Sequence, residues 1–255
     1  MITIGELTDI VRDASELMVT DGFIIAQKGG CENIVTSSDI AVQEFLCKRL
    51  SELVPGSGFL CEEKDIHDTR HEYTWIIDPI DGTANYSRGI DQCAICVGLK
   101  HLDEMLMGVV YIPRTAEMFH AEKGKGAYLN GKRIKVSSRS FNNAVMCTAL
   151  PVYHKEYAEV CSRIILETFG KCNDIRRFGA CAPELCYLAM GRCELYFEYL
   201  ISPWDYAAAS LILTEAGGII SSIDGSALCL TQPSGVIAAN NVANFNELLG
   251  IVKNR

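Results

Sequence analysis

The chain predicts a mixed α/β protein, with an α+β first half and an α/β second half. Three patterns carry that expectation. Apolar residues at helical spacing dominate the first fifty positions. β-like segments joined by turn signals fill residues 93–131, and strand and helix patterns alternate from about residue 144 onward. No linker, repeat or low-complexity tract separates 1–140 from 141–255, so the halves are expected to share a core.

Thr3-Ile-Gly-Glu6 is a capping box, and Ile4, Leu7, Val11, Ala14 and Met18 follow at helical spacing. A helix to about residue 26 is predicted, broken by Lys28-Gly29-Gly30. Asn33–Asp39 reads as a polar turn into a second helix, capped by Ser38 and ending before Pro55-Gly56. Gly58–Cys61 reads as a strand ending in Glu62-Glu63. Residues 64–71 read as a loop with His67 and His71 on the surface. Trp75–Ile77 is an apolar strand. Then Cys93–Leu99, Met105–Tyr111, Glu117–Ala121 and Ala127–Leu129 form a predicted antiparallel meander, with Asn130-Gly131 as a hairpin turn. In the second half Ala144–Ala149, Ile175–Phe178, Cys193–Tyr199 and Val236–Ala239 read as strands. Helices are predicted over Tyr157–Gly170, Ala180–Met190 and Phe245–Val252. A further helix follows Ser202-Pro203 and closes at Gly217-Gly218.

The 255 residues are 49% hydrophobic and 22% charged, with a net charge of −9, a balance that argues against nucleic acid as the main partner. Met1–Asp9 lacks a basic region followed by a long apolar run, and no uninterrupted apolar stretch reaches the ~18 residues of a membrane span. A cytoplasmic protein without a membrane partner is expected. In that setting the 12 cysteines read as small buried hydrophobes. Cys93 and Cys96 match C-x-x-C, but in a strand they point to opposite faces.

The chemistry concentrates in Trp75–Tyr86. Asp78 and Asp81 stand at the end of an apolar strand, with Gly82 permitting close approach and Thr83 adding a hydroxyl. Buried acids are costly unless a positive charge offsets them, and a hard cation such as Mg²⁺ takes carboxylate and carbonyl oxygens. A solvated Asx-turn is the plain alternative. Asp39, Glu62 and Asp205 also stand at element boundaries, where Asp39 and Asp205 read equally well as first-turn helix acids.

Asp78-Pro-Ile-Asp-Gly-Thr83 with Asn85 and Tyr86, and Trp204-Asp-Tyr-Ala-Ala-Ala209 followed by Glu215-Ala-Gly-Gly218, resemble the signatures of the inositol monophosphatase family of lithium-sensitive phosphatases. Val35–Asp39 and Glu62-Glu63 fall in the same order and spacing. The resemblance implies a layered αβαβα sandwich, Mg²⁺ as cofactor (two to three ions), a homodimer, and a small phosphate ester as substrate. It implies Glu62, Asp78, the Ile80 carbonyl, Asp81 and Asp205 as metal ligands, with Thr83, Asp39 and Glu62 serving the attacking water. Asp81, Gly82, Thr83, Gly179, Ala180, Cys181, Glu198 and Asp205 would line the substrate site, and Lys28 and Glu63 would support it. Ala84, Arg88, Asp91 and Ala180-Cys181 depart from the family pattern beside the leaving-group pocket. Inositol 1-phosphate is the foremost substrate implied. Fructose 1,6-bisphosphate, 3′-phosphoadenosine nucleotides and histidinol phosphate stay open, with Arg88, Arg176 or Arg177 as candidates for a second phosphate. A catalytically idle binding member is the reading from a different class.

Overall fold

Thr3 caps helix α1 (Ile4–Ser15), whose Leu7, Ile10, Val11 and Ala14 are buried. The computed structural model describes residues 2–30, 33–63 and 66–254, with residues 28–30 and 33 described by backbone alone. The helix ends well short of residue 26. Leu17 and Met18 bond to carbonyls three residues back, at Ala14 and Ser15, so tight turns prolong the apolar spacing without an α-helix. The chain then reverses near Gly22 (φ 80°) into β1 (Ile25–Gly30), antiparallel to β2 (Asn33–Thr36). Lys28-Gly29-Gly30 is therefore strand rather than helix breaker. The cap of α2 (Ser37–Leu53) is Thr36, not Ser38. Ser38 Oγ instead accepts a hydrogen bond from the Tyr86 hydroxyl at 2.9 Å.

The first sheet contains β3 (Gly58–Cys61), β4 (His67–Asp68), β5 (Tyr73–Asp81), β6 (Ala94–His101), β7 (Glu104–Ile112), β8 (Glu117–Glu122), β9 (Gly126–Leu129) and β10 (Lys132–Arg133). Its order is β10-β9-β8-β7-β6-β5-β3-β4, and only β3 and β5 pair in parallel. Short β4 occupies part of the expected loop. Asn130 (φ 49°) and Gly131 (φ 76°) turn β9 into β10 as a hairpin dipeptide should. The second sheet holds β11 (Val145–Thr148), β12 (Asp174–Arg176), β13 (Leu195–Ile201), β14 (Ile219–Ser222) and β15 (Ser234–Ala239), in the order β12-β11-β13-β15-β14. Strand β14 has no counterpart among the expected elements. Its four residues pair with β15 on the sheet edge, too short a run to show alternation.

Five layers result. On the outer face of the first sheet α1 and α2 cover Trp75, Ile77, Val97 and Val109. Against its inner face lie α5 (Cys181–Ala189) and α6 (Pro203–Glu215), which meet Ile76, Cys96 and Val110 on one side and Tyr196, Val236 and Ala238 on the other. Helices α4 (Ala158–Phe169) and α7 (Val242–Lys253) close the far face over Met146, Phe197 and Ile237. This is an αβαβα sandwich. Close approach of α6 to the first sheet depends on small residues. A Cβ on Gly108 would lie 2.4 Å from the Ala208 carbonyl oxygen, so β7 carries no side chain there. That approach brings the first turn of α6, with Asp205, toward the end of β5.

Candidate active site

In a regular strand Asp78 and Asp81 would point to opposite faces. Strand β5 is irregular between them: Asp78 faces Cys96 and Asp81 faces Ala94, so three steps on one strand match two on the other. The extra residue turns both carboxylates to one side. Asp78 Oδ1 accepts the Ile80 amide at 2.9 Å, while its buried Oδ2 receives no donor among the described residues. Asp81 accepts amides from the start of α5, Cys181 N at 3.3 Å and Ala182 N at 2.6 Å. Asp205 sits in a capping box with Ser202, whose N–H donates to its Oδ2 at 3.1 Å. One carboxylate oxygen from each of Asp78, Asp81 and Asp205 lies within 4.8 Å of the others.

Burial and mutual repulsion hold these acids away from their charged forms. Asp78 is raised well above the carboxylate range, by burial first and then by Glu62, Asp205 and Asp81. Asp205, half-buried, is raised by burial, Asp81 and Glu62, and it lies close enough to Asp78 to share a proton. Asp81 is pushed up to about 7 by burial, its two amide bonds opposing the shift. No basic side chain is among the largest influences on these three groups. An all-oxygen donor set with an open buried oxygen is what a hard divalent cation requires.

The neighbouring positions are fixed from several elements. Glu62 closes β3, its N–H donating to the Ile77 carbonyl at 3.2 Å, and it lines the cleft half-buried. Buried Glu63 is clamped by Gln43, which accepts its N–H at 2.9 Å and donates to its carbonyl at 2.7 Å. Gly82 (φ 88°) opens the short helix α3 (Thr83–Tyr86), and a Cβ there would stand 2.9 Å from the Gln92 carbonyl oxygen. Thr83 Oγ1 lies 3.2 Å from Asp39 Oδ1 and 3.1 Å from the Ile80 carbonyl oxygen. Asp39 is fully buried, its other oxygen taken by the Thr36 amide at 2.7 Å and by the Thr36 hydroxyl. Burial raises its pKa.

A cavity of about 1100 Å³ is lined by Asp78, Asp81 and Thr83 from the first half of the chain and by Glu198 and Asp205 from the second. Glu198, on β13, is buried rather than an exposed strand-end acid. It accepts the Tyr196 hydroxyl at 2.5 Å and is raised to about 8 by burial. Gly179 (φ 87°), Ala180 and Cys181 line the cavity, although the Cys181 amide is taken by Asp81. Arg88 and Arg177 also line it, Arg88 donating to the Ala84 carbonyl at 2.9 Å. Arg176 points elsewhere and pairs with Asp174 at 2.5 Å. The Lys28 side chain lies outside the described residues. The described cysteines are all free thiols, and Cys93 and Cys96 lie in separate apolar clusters.

Two buried acids, Glu184 and Glu194, are not singled out by the sequence. Glu184 lies in α5 at 1% exposure, accepting Phe178 N at 2.6 Å and Gly179 N at 3.0 Å. Its available signal was a lone charge in the apolar run Cys181–Ala189.

Residues 5–254 match the model of the inositol monophosphatase family. An inositol-1-monophosphatase of Caulobacter vibrioides is 35% identical over 235 residues, 91% of this chain and 90% of that protein. The Nus factor SuhB of Escherichia coli K12 is 33% identical over 208 residues, 81% and 78% of the two chains. Among solved structures, extragenic suppressor protein suhB from Bartonella henselae superposes with a TM-score of 0.90 at 28% identity, covering 98% of each chain. An IMPase from Thermotoga maritima does so at 0.86 and 27%, covering 98% of this chain and 96% of that one.

Proposed function

The chain belongs to the inositol monophosphatase family, and from that membership we propose that it hydrolyses a small polyol phosphate monoester, inositol monophosphate foremost, with Mg²⁺. The observation that carries this reading is the Asp78–Asp81–Asp205 cluster, whose carboxylates face one another and whose buried Asp78 Oδ2 has no donor among the described residues. Glu62, Asp78 and the Ile80 carbonyl would hold one ion and Asp78, Asp81 and Asp205 a second. A third would rest on Glu62 and water. Bound there, Mg²⁺ would offset the charge of the phosphate dianion, the main obstacle to in-line attack by water.

The chain's own residues do the rest. The Thr83 hydroxyl has two acceptors for its single proton. The Ile80 carbonyl would serve an ion, which would leave Asp39 Oδ1 as the acceptor. Thr83 Oγ1 then turns a lone pair to the attacking water, orients it, and passes its proton load toward Asp39. Asp39 suits this task because its other oxygen is already occupied by Thr36, which fixes the carboxyl plane. The amides of Gly82 and Thr83 receive phosphate oxygens. Glu198, held by Tyr196, accepts hydroxyls of the polyol. No covalent intermediate is required.

Phosphate release from inositol 1-phosphate, fructose 1,6-bisphosphate, adenosine 3′,5′-bisphosphate and histidinol phosphate, at millimolar Mg²⁺, tests the reading. Inositol 1-phosphate should be turned over fastest; background rates across the whole panel would sink the enzyme proposal. That outcome would favour the second reading, a binding protein, which the names of the Nus factor relatives bring forward.

A further inference from the structure

The segment joining β12 to α5 is gripped from three sides. Asn85 Nδ2 donates to the Phe178 carbonyl and to the Gln92 carbonyl, both at 2.7 Å. Glu184 Oε1 accepts the amides of Phe178 and Gly179. Asp81 then takes the amides of Cys181 and Ala182. Pro183 has no amide to offer, and the Glu184 amide bonds back to the Ala180 carbonyl at 3.4 Å. The first amides of α5 are thereby accounted for: those aimed at the metal-ligand cluster go to Asp81.

The cost of Glu184 asks for an explanation. It is 1% exposed, and its Oε2 is buried with no hydrogen-bond partner among the described residues. Burying a carboxyl with an idle oxygen is destabilising, and its neighbours Leu185 and Leu188 show that α5 can fill this layer with apolar side chains. What the acid provides is one oxygen that ties two successive amides of a turn. That turn contains Gly179 at φ 87°, a residue with little conformational preference of its own.

We propose that Glu184 is a positioning residue: it fixes the Phe178–Gly179 turn so that the Cys181 and Ala182 amides hold the Asp81 carboxylate in its metal-binding orientation. The inference rests on the reading of Asp81 as a metal ligand. Groups that orient metal ligands typically change affinity roughly 10–100-fold when removed.

The test measures metal binding by the full chain directly. Tb³⁺ luminescence sensitised by Trp204, next to Asp205 in the cavity wall, is followed in metal-free protein and then reversed with Mg²⁺. Wild type should bind. Glu184→Gln keeps the Oε1 acceptor and should stay within about threefold of wild type, while Glu184→Ala should bind about tenfold more weakly. Glu184→Asp withdraws the oxygen by one methylene and should follow the alanine variant; it decides the matter if the alanine variant does not fold. The Mg²⁺ half-saturation for turnover should rise in parallel. A variant that melts earlier but binds Tb³⁺ and Mg²⁺ like wild type would reduce Glu184 to a packing role and overturn the inference. So would a Gln variant as impaired as the Ala variant. Wild type that binds no Tb³⁺ would overturn the metal-site reading itself, a failure visible before any Glu184 variant is made.

Discussion

Stripped of divalent cations, the protein should lose stability as pH rises from 5 to 8. Asp81 titrates from an ordinary value of 3.8 to about 7 in the fold. Below 3.8 both folded and unfolded states hold the proton, and the group is neutral in the balance. Between the two values the unfolded chain has released a proton that the native state keeps, so each further pH unit costs the native state about 1.4 kcal/mol. Between pH 5 and the native value about two such units lie in the window, about 2.7 kcal/mol for this one buried acid. Glu184 and Glu198, each raised to about 8 by burial, push in the same direction. They add less than their full share, because each proton retained relieves its neighbours. Surface acids with lowered values, such as Glu104 and Asp174, complete their titration below this window and do not mask it. For a chain of this length about 2.7 kcal/mol corresponds to a melting shift of roughly 5–11 °C. Calorimetry in chelator at pH 5, 6, 7 and 8 should show Tm falling across the series. Millimolar Mg²⁺ should restore it at pH 8 with little effect at pH 5. A Tm that is flat or rising from pH 5 to 8 in chelator, or one that Mg²⁺ leaves unmoved at pH 8, refutes the reasoning.

Asp81→Asn should lower turnover on the order of 10³-fold with an unchanged circular dichroism spectrum, since it removes a ligand charge and turns a donor toward the α5 amides. Full activity in that variant rejects the metal assignment. Thr83→Ala should reduce kcat by roughly 10²–10⁴-fold while Tb³⁺ affinity stays at the wild-type value; a weakened ion would place Thr83 in metal binding instead. Gly82→Ala forces a side chain into φ 88° and to 2.9 Å from the Gln92 carbonyl oxygen. Its unfolding free energy in urea should drop by about 1–3 kcal/mol, and an unchanged midpoint would show that the turn tolerates a Cβ.

Local pattern carried the fold a long way, and its failures have local causes. Expected strands and helices of the second half fall within a few residues of β11, β12, β13, β15, α4, α5, α6 and α7, because apolar periodicity and caps coincide there. The overrun of α1 came from Met18, which keeps helical spacing in a turn that is not a helix. Strands β1 and β14 are short edge elements whose pairing partners, not their own sequence, define them. The aspartates near residue 80 were legible as a pair, but strand periodicity alone sets them on opposite faces. Only the irregular pairing against β6 turns them together. Asp205 is remote in sequence, and nothing local separates it from an ordinary first-turn acid. The contact of Ala208 with Gly108 is what brings it to the cluster, and no motif announces such a contact.

Burial alone does not distinguish a working acid from a structural one in this protein, and Glu194 shows why. It is fully buried, like Asp39 and nearly like Asp78. Yet its Oε1 meets the Arg139 guanidinium and the Ser137 hydroxyl, and its Oε2 takes the Val145 amide at 2.8 Å. Every lone-pair direction of consequence there has a donor, one of them a cation, and the group ties β11 to the chain before β13. Among the described residues Asp78 has a single amide on one oxygen, none on the other, and carboxylates as the largest charged influences on it. A fold that surrounds one buried acid with donors and leaves another facing like charges has not failed to stabilise the second. On the proposed reading the neutralising charge comes from solution, which would make the stability of the metal-free site and its affinity for a cation two readings of the same electrostatic deficit.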